Sequence, residues 1–179
     1  EKRSAGRSPF RLYLLRSVAA VFIIMIGTLT YQYSQINKEK LYSDLYIAYD
    51  LPVSRGATDL SDLASRFEKK DYAGVITLFG REQQAPLQDI FLAAQAYQHT
   101  GRYEESARLY QELLQKDLEQ HSTQYADDAQ FYLALCYLQL QKPDKALSLL
   151  SAIHRDKENL YHDRVSAWQL EKLRLLRWK

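Results

Sequence analysis

Apolar and polar positions along this chain fall into three regimes. From Ser17 to Asn37 no residue is charged over 21 positions, with the apolar heart Val18-Ala-Ala-Val-Phe-Ile-Ile-Met-Ile-Gly-Thr-Leu-Thr-Tyr31. A helix of that length, at roughly 1.5 Å per residue, covers the ~30 Å of a bilayer core. The pattern therefore predicts a membrane-spanning helix over residues 17–35, with Tyr13, Tyr31 and Tyr33 placed to sit at the two interfaces. Residues 36–56 form the second regime. Leu41, Leu45, Ala48 and Tyr49 lie at i, i+4, i+7 and i+8, the spacing of a short amphipathic helix, and Pro52 and Gly56 end it. Such a helix is expected to pack its apolar face on the first repeat. The third regime, residues 57–179, reads as successive helices whose apolar positions repeat as a set.

One copy of that set runs Ile90-x2-Ala93-Ala94-x2-Tyr97, Gly101-x-Tyr103, Ser106-x3-Tyr110 and Leu113. The next runs Gln130-x2-Leu133-Ala134-x2-Tyr137, Ala146-x3-Leu150 and Ile153, each paired position lying 40 residues on. The tetratricopeptide (TPR) signature, W-x2-L-G-x2-Y followed by A-x3-F, has a period of about 34 residues. The extra length, about six residues by that comparison, is expected around Lys116 to Thr123. A degenerate earlier copy is Phe67-Glu-Lys-Lys-Asp-Tyr72 with Val75-x3-Phe79, and a last helix is expected from about Tyr161 to Trp178, with Val165, Trp168 and Leu176 closing the stack. The predicted fold is all-α: an N-terminal transmembrane helix, a TPR-like solenoid of about three helix pairs, and a C-terminal capping helix.

Phe131-Tyr-Leu-Ala-Leu-Cys-Tyr-Leu-Gln-Leu-Gln-Lys-Pro-Asp-Lys-Ala-Leu-Ser-Leu-Leu150 and Tyr161-His162, with the approach Leu45-Tyr-Ile-Ala-Tyr49, Arg55-Gly56 and Asp71-Tyr72, carry a wider likeness. On these residues the chain resembles single-span bacterial TPR proteins. One kind is the periplasm-facing ancillary subunit of the Sec translocon, which implies an adaptor that holds a protein partner in an envelope membrane complex. The other is an anti-sigma-factor-like regulator, which implies a cytoplasmic segment before Glu1.

Charge sharpens the topology. Residues 1–16 carry Lys2, Arg3, Arg7, Arg11 and Arg16 against Glu1, while the rest of the chain holds 19 basic and 21 acidic residues. A basic flank before a span predicts a cytoplasmic N-terminus (1–16), a single inner-membrane pass with lipid contact through 17–35, and a periplasmic repeat domain. The near-neutral remainder lacks the electrostatic footprint of a nucleic-acid binder.

Chemistry-bearing patterns are missing: there is no G-x-S-x-G, H-E-x-x-H, Walker loop or dinucleotide fingerprint, so no enzyme, cofactor or small-molecule substrate is expected. His99, His121, His154 and His162 match no metal-ligand spacing and read as surface groups near turns, and the single Cys136 reads as a small buried residue. Asp127-Asp128 and Glu104-Glu105 read as solvated first-turn charges. What remains is a protein-binding face. In a TPR stack the first helix of each pair lines the concave side, which here nominates Gln88, Phe91, Gln95 and Gln98 from one repeat and Asp128, Phe131, Leu135 and Leu138 from the next. No Lys or Asn stands among them, so the carboxylate clamp of chaperone-binding TPR domains is not expected, and two phenylalanines amid amides suit a helical or extended apolar peptide. Phe91 and Phe131 either offer that surface or pack against the next helix or the 36–56 segment.

Overall fold

A computed structural model describes residues 9–34, 36–51, 61–81, 84–119 and 123–178, and every regular element among them is helical. The chain divides into two compact units, Glu1–Asn37 and Lys38–Lys179. The first contains α1 (Pro9–Ser34). It is a continuous helix, but no helix among the described residues is long and apolar enough to cross a membrane. The uncharged stretch is long by count, yet its unbroken apolar part is only Val18 to Ile26. Those residues rise about 14 Å at 1.5 Å each, roughly half a bilayer core. Beyond them Thr28, Thr30, Tyr31 and Gln32 dilute the run. This corrects the transmembrane helix expected over 17–35, and with it the single-pass inner-membrane placement and periplasmic repeat domain. Lipid contact through 17–35 is left without support.

The second unit comprises α2 (Lys38–Leu45), α3 (Asp62–Glu68), α4 (Tyr72–Phe79), α5 (Leu87–His99), α6 (Tyr103–Glu119), α7 (Ala126–Gln139), α8 (Pro143–Arg155), a 3-10 turn (His162–Arg164) and α9 (Ala167–Leu176). From α3 to α8 each helix packs on the next, and α9 packs on α8. The hairpins α3–α4, α5–α6 and α7–α8 turn in the same way. Lys70, Gly101 and Gln141 sit at φ values of 58, 76 and 55°, the left-handed region. In each turn two amides return to the end of the first helix: Lys70 and Asp71 to Phe67 and Arg66, Gly101 and Arg102 to Gln98 and Tyr97, Gln141 and Lys142 to Leu138 and Tyr137. Three identical C-terminal turns, each satisfying orphan carbonyls, make three repeats of one unit.

Small residues set the spacing within pairs. Ala94 and Ala134 are fully buried, and Ser106, also fully buried, donates to the Ala94 carbonyl at 2.8 Å while accepting from the Cys136 thiol. The length expected in the loop after α6 is partly helical, because α6 runs 17 residues against 13 in α8. The C-terminal helix also differs from expectation. Ser166 caps α9, its hydroxyl accepting from the Gln169 amide in a reciprocal capping box, so the helix starts at Ala167 and not near Tyr161. Leu170, Leu173 and Val165 close the stack, whereas Trp168 stays 59% exposed.

Candidate functional site

The nominated face is formed by α5 and α7, the first helices of two adjacent pairs. Residues 88, 91, 95 and 98 follow helical spacing on one side of α5, as do 128, 131, 135 and 138 on α7. Gln88 is exposed, Asp128 is half-buried, and Phe91, Gln95, Gln98, Phe131, Leu135 and Leu138 are buried. Other parts of the chain lie over them.

Residues 38–51 cover α5 and the neighbouring part of α7. α2 is amphipathic as expected, with Leu41 and Leu45 almost completely buried, but it ends at Leu45 and the chain continues without regular structure. The Tyr49 ring then meets Phe91 edge-on at 4.6 Å. Gln98 donates to the Tyr42 hydroxyl at 3.2 Å and accepts from Tyr110 at 3.1 Å. Backbone carbonyls of the segment are gripped in succession: Arg164 Nε donates to Leu45 at 3.1 Å and Nη2 to Tyr46 at 3.3 Å, and the Tyr132 hydroxyl donates to Ile47 at 3.0 Å. Lys38 Nζ donates in the other direction, to the Gln139 carbonyl at 3.2 Å. Two of the gripping residues, Tyr132 and Arg164, come from α7 and the 3-10 turn, so the hold is made by repeat and cap together.

Phe131 is covered from the C-terminal side. Tyr161 stacks on it at 4.0 Å and 6°, and the Tyr161 hydroxyl donates to Asp128 Oδ1 at 2.5 Å. Burial pushes the Asp128 carboxyl above its ordinary range, with Asp127 adding to the rise and the Tyr161 bond opposing it. Asp127 accepts from Asn159 Nδ2 and from the Leu160 amide, both at 2.9 Å. The aspartates read as solvated charges therefore fasten the cap to α7.

His99 also departs from a free surface group. It stacks on Tyr72 at 4.2 Å and 4°, and its Nε2 lies 3.2 Å from the Tyr46 hydroxyl. Burial lowers its pKa, and Lys70 adds to that. His154 and His162 stack 5.7 Å apart, and His121 lies outside the described residues. Among the described residues no three of His, Cys, Asp and Glu gather as a metal-binding group. The Cys136 thiol is pushed up to about 12 by burial, against the Ser106 bond.

Sequence reasoning did not place Tyr42, Tyr46, Tyr132, Tyr161 and Arg164 at this face. A signal existed for the first two, since Tyr42, Tyr46 and Tyr49 fall at i, i+4 and i+7 beside the leucines. A family model described as tetratricopeptide repeat matches residues 90–117 and 128–156. Both segments are similar to TPR repeats. They coincide with the α5–α6 and α7–α8 hairpins, and the α3–α4 pair shares their turn geometry. No curated protein and no solved structure matches the chain. That likeness suggests a protein-interaction scaffold.

Proposed function

We propose that this chain is a TPR adaptor whose work is to hold a protein partner through the groove formed by α5 and α7, lined by Gln88, Phe91, Gln95, Gln98, Asp128, Phe131, Leu135 and Leu138. One observation carries the reading: the groove is compatible with a polypeptide, because residues 38–51 lie in it with leucines buried and backbone carbonyls bonded. Apolar anchors set spacing and main-chain bonds set register, which is how grooves recognise peptide segments in general. None of these lining residues is Lys or Asn, and Arg164, the cation that reaches the segment, bonds main-chain carbonyls, so the partner is recognised by apolar side chains and main chain.

Site-directed photocrosslinking tests it. A benzoylphenylalanine at Gln88, exposed at the end of the groove, is expected to capture a discrete partner from the native source. The same group at Arg108, exposed on α6, serves as the control. Capture from Arg108 alone would put the interaction on the outer helices and overturn the assignment.

A further inference from the structure

We propose that residues 38–51 are an exchangeable, self-supplied occupant of the TPR groove, and that the partner displaces them with a segment of the same chemistry. That segment has two leucines four residues apart in a helical turn, continues without regular structure to an aromatic residue, and presents a hydrogen-bonding amide to Gln95. This rests on the α5–α7 face being the protein-binding face, and adds what binds there and what must leave.

Two features point to exchange. The grip on the segment is generic. The Leu45, Tyr46 and Ile47 carbonyls are held by Arg164 and Tyr132, and every peptide has carbonyls. Selectivity comes from the pockets taken by Leu41, Leu45 and Tyr49, with the Tyr42 and Tyr46 hydroxyls on Gln98 and His99 and Asp44 beside Lys172, a pattern that another chain can reproduce.

The fit is also incomplete at a defined place. Gln95 lies on the same side of α5 as Phe91 and Gln98, which touch Tyr49 and Tyr42. It is 0% exposed, and both its Nε2 and Oε1 lack a hydrogen-bond partner among the described residues. Covering an amide without bonding it is costly, since a buried donor and acceptor both lose water. A competitor that bonds both atoms gains what the resident segment does not. Beside the segment's end lies a cavity of about 410 Å³, with Ala48, Tyr49 and Leu51 on one side and Phe67, Tyr72 and His99 on the other. It gives an incoming chain a place to start.

The test uses the full chain and a fluorescein-labelled peptide of residues 38–51. The double variant Leu41→Asp/Leu45→Asp removes the resident anchors and leaves the groove residues untouched. It is expected to bind the peptide at least tenfold tighter than the wild type does, by fluorescence anisotropy. Equal affinity in a variant that keeps its helicity and cooperative melt would overturn the proposal. Should the variant not fold, hydrogen exchange on the wild type decides: amides 41–51 are expected to exchange at least a hundredfold faster than those of α5 and α7, and equal protection would overturn exchange. Gln95→Leu is expected to slow exchange at 41–51 and raise the melting temperature; the opposite shifts would show Gln95 to be satisfied and remove the reason for displacement. A wild-type dimer that vanishes in the double variant would assign the groove to a second copy and overturn a separate partner. Crosslinking from Gln88 that persists while peptide exchange fails would sink this inference alone.

Discussion

Left-handed residues at the three hairpin turns give the sharpest residue-scale expectation. Gly101 is the natural occupant of such a position, and a Cβ there would meet open space, so only backbone strain opposes one. Lys70 and Gln141 adopt the same conformation with side chains. The left-handed region costs an L-residue about 1–2 kcal/mol, partly offset by the greater freedom glycine loses on folding. Lys70→Gly and Gln141→Gly should each stabilise by roughly 0.5–1 kcal/mol, and Gly101→Ala should cost about 1 kcal/mol, read from urea melts. Cys136 gives a second test. With its thiol buried and its pKa pushed up to about 12, it should resist iodoacetamide in the folded protein and react only on unfolding. Its burial was legible from its place in a helical pattern. The roles of Asp127 and Asp128 were not, because their partners Asn159 and Tyr161 lie 32 and 33 residues later in a stretch with no periodicity of its own.

Elements differ in how much of their fate local sequence decides. The hairpins α5–α6 and α7–α8 were legible because a 40-residue offset recurs at matched core positions, and core periodicity is what a repeat must keep. α2 was legible as an amphipathic helix, but its seat was not: the bond from Tyr132 to Ile47 joins residues 85 apart. α1 is legible as a helix but not as a span, since a membrane crossing needs continuous apolarity and absence of charge alone does not supply it. At this scale α9 depends on its cap, so Ser166→Ala, which breaks the capping box, should cost about 1 kcal/mol by chemical denaturation. The junction of Tyr46, α4 and α5 at His99 should respond to pH. Its folded pKa lies below the ordinary 6.5, so as pH falls through about 6.5 the unfolded chain takes up a proton that the folded one refuses. Stability contributed there is full above that pH and declines below it, levelling once the folded His99 also protonates. Burial raises the Asp89 and Asp128 carboxyls, which works in the opposite direction as pH falls toward the carboxylate range. The comparison that isolates His99 is therefore the melting temperature of wild type against His99→Gln between about pH 7.5 and 5.5, where the wild type should show the steeper loss.

For the whole molecule, the question is which part of the chain completes the solenoid. A TPR hairpin buries its apolar face only against neighbours, so an end must be closed and a groove must be filled or wet. Here the closing element at one end is α9, and the filling element is a segment that precedes the repeats in sequence. Among the described residues every buried hydrophobic of the core lies between Leu41 and Leu173, with Leu41 and Leu45 the first of them. Folding of the second unit should accordingly need the residues from Lys38 onward. A chain starting at Lys38 is expected to melt within about 2 °C of the full chain. One starting at Asp62 exposes Phe91 and leaves Arg164 and Tyr132 without their carbonyls, and should melt well below it, a loss of two buried leucines alone being worth roughly 3–6 kcal/mol. Adding the peptide of residues 38–51 back in excess should recover part of that difference, because a ligand that binds only the folded state raises its stability by mass action. If both truncations melted alike, the segment would be incidental to the solenoid, and the repeats would be complete without anything in the groove.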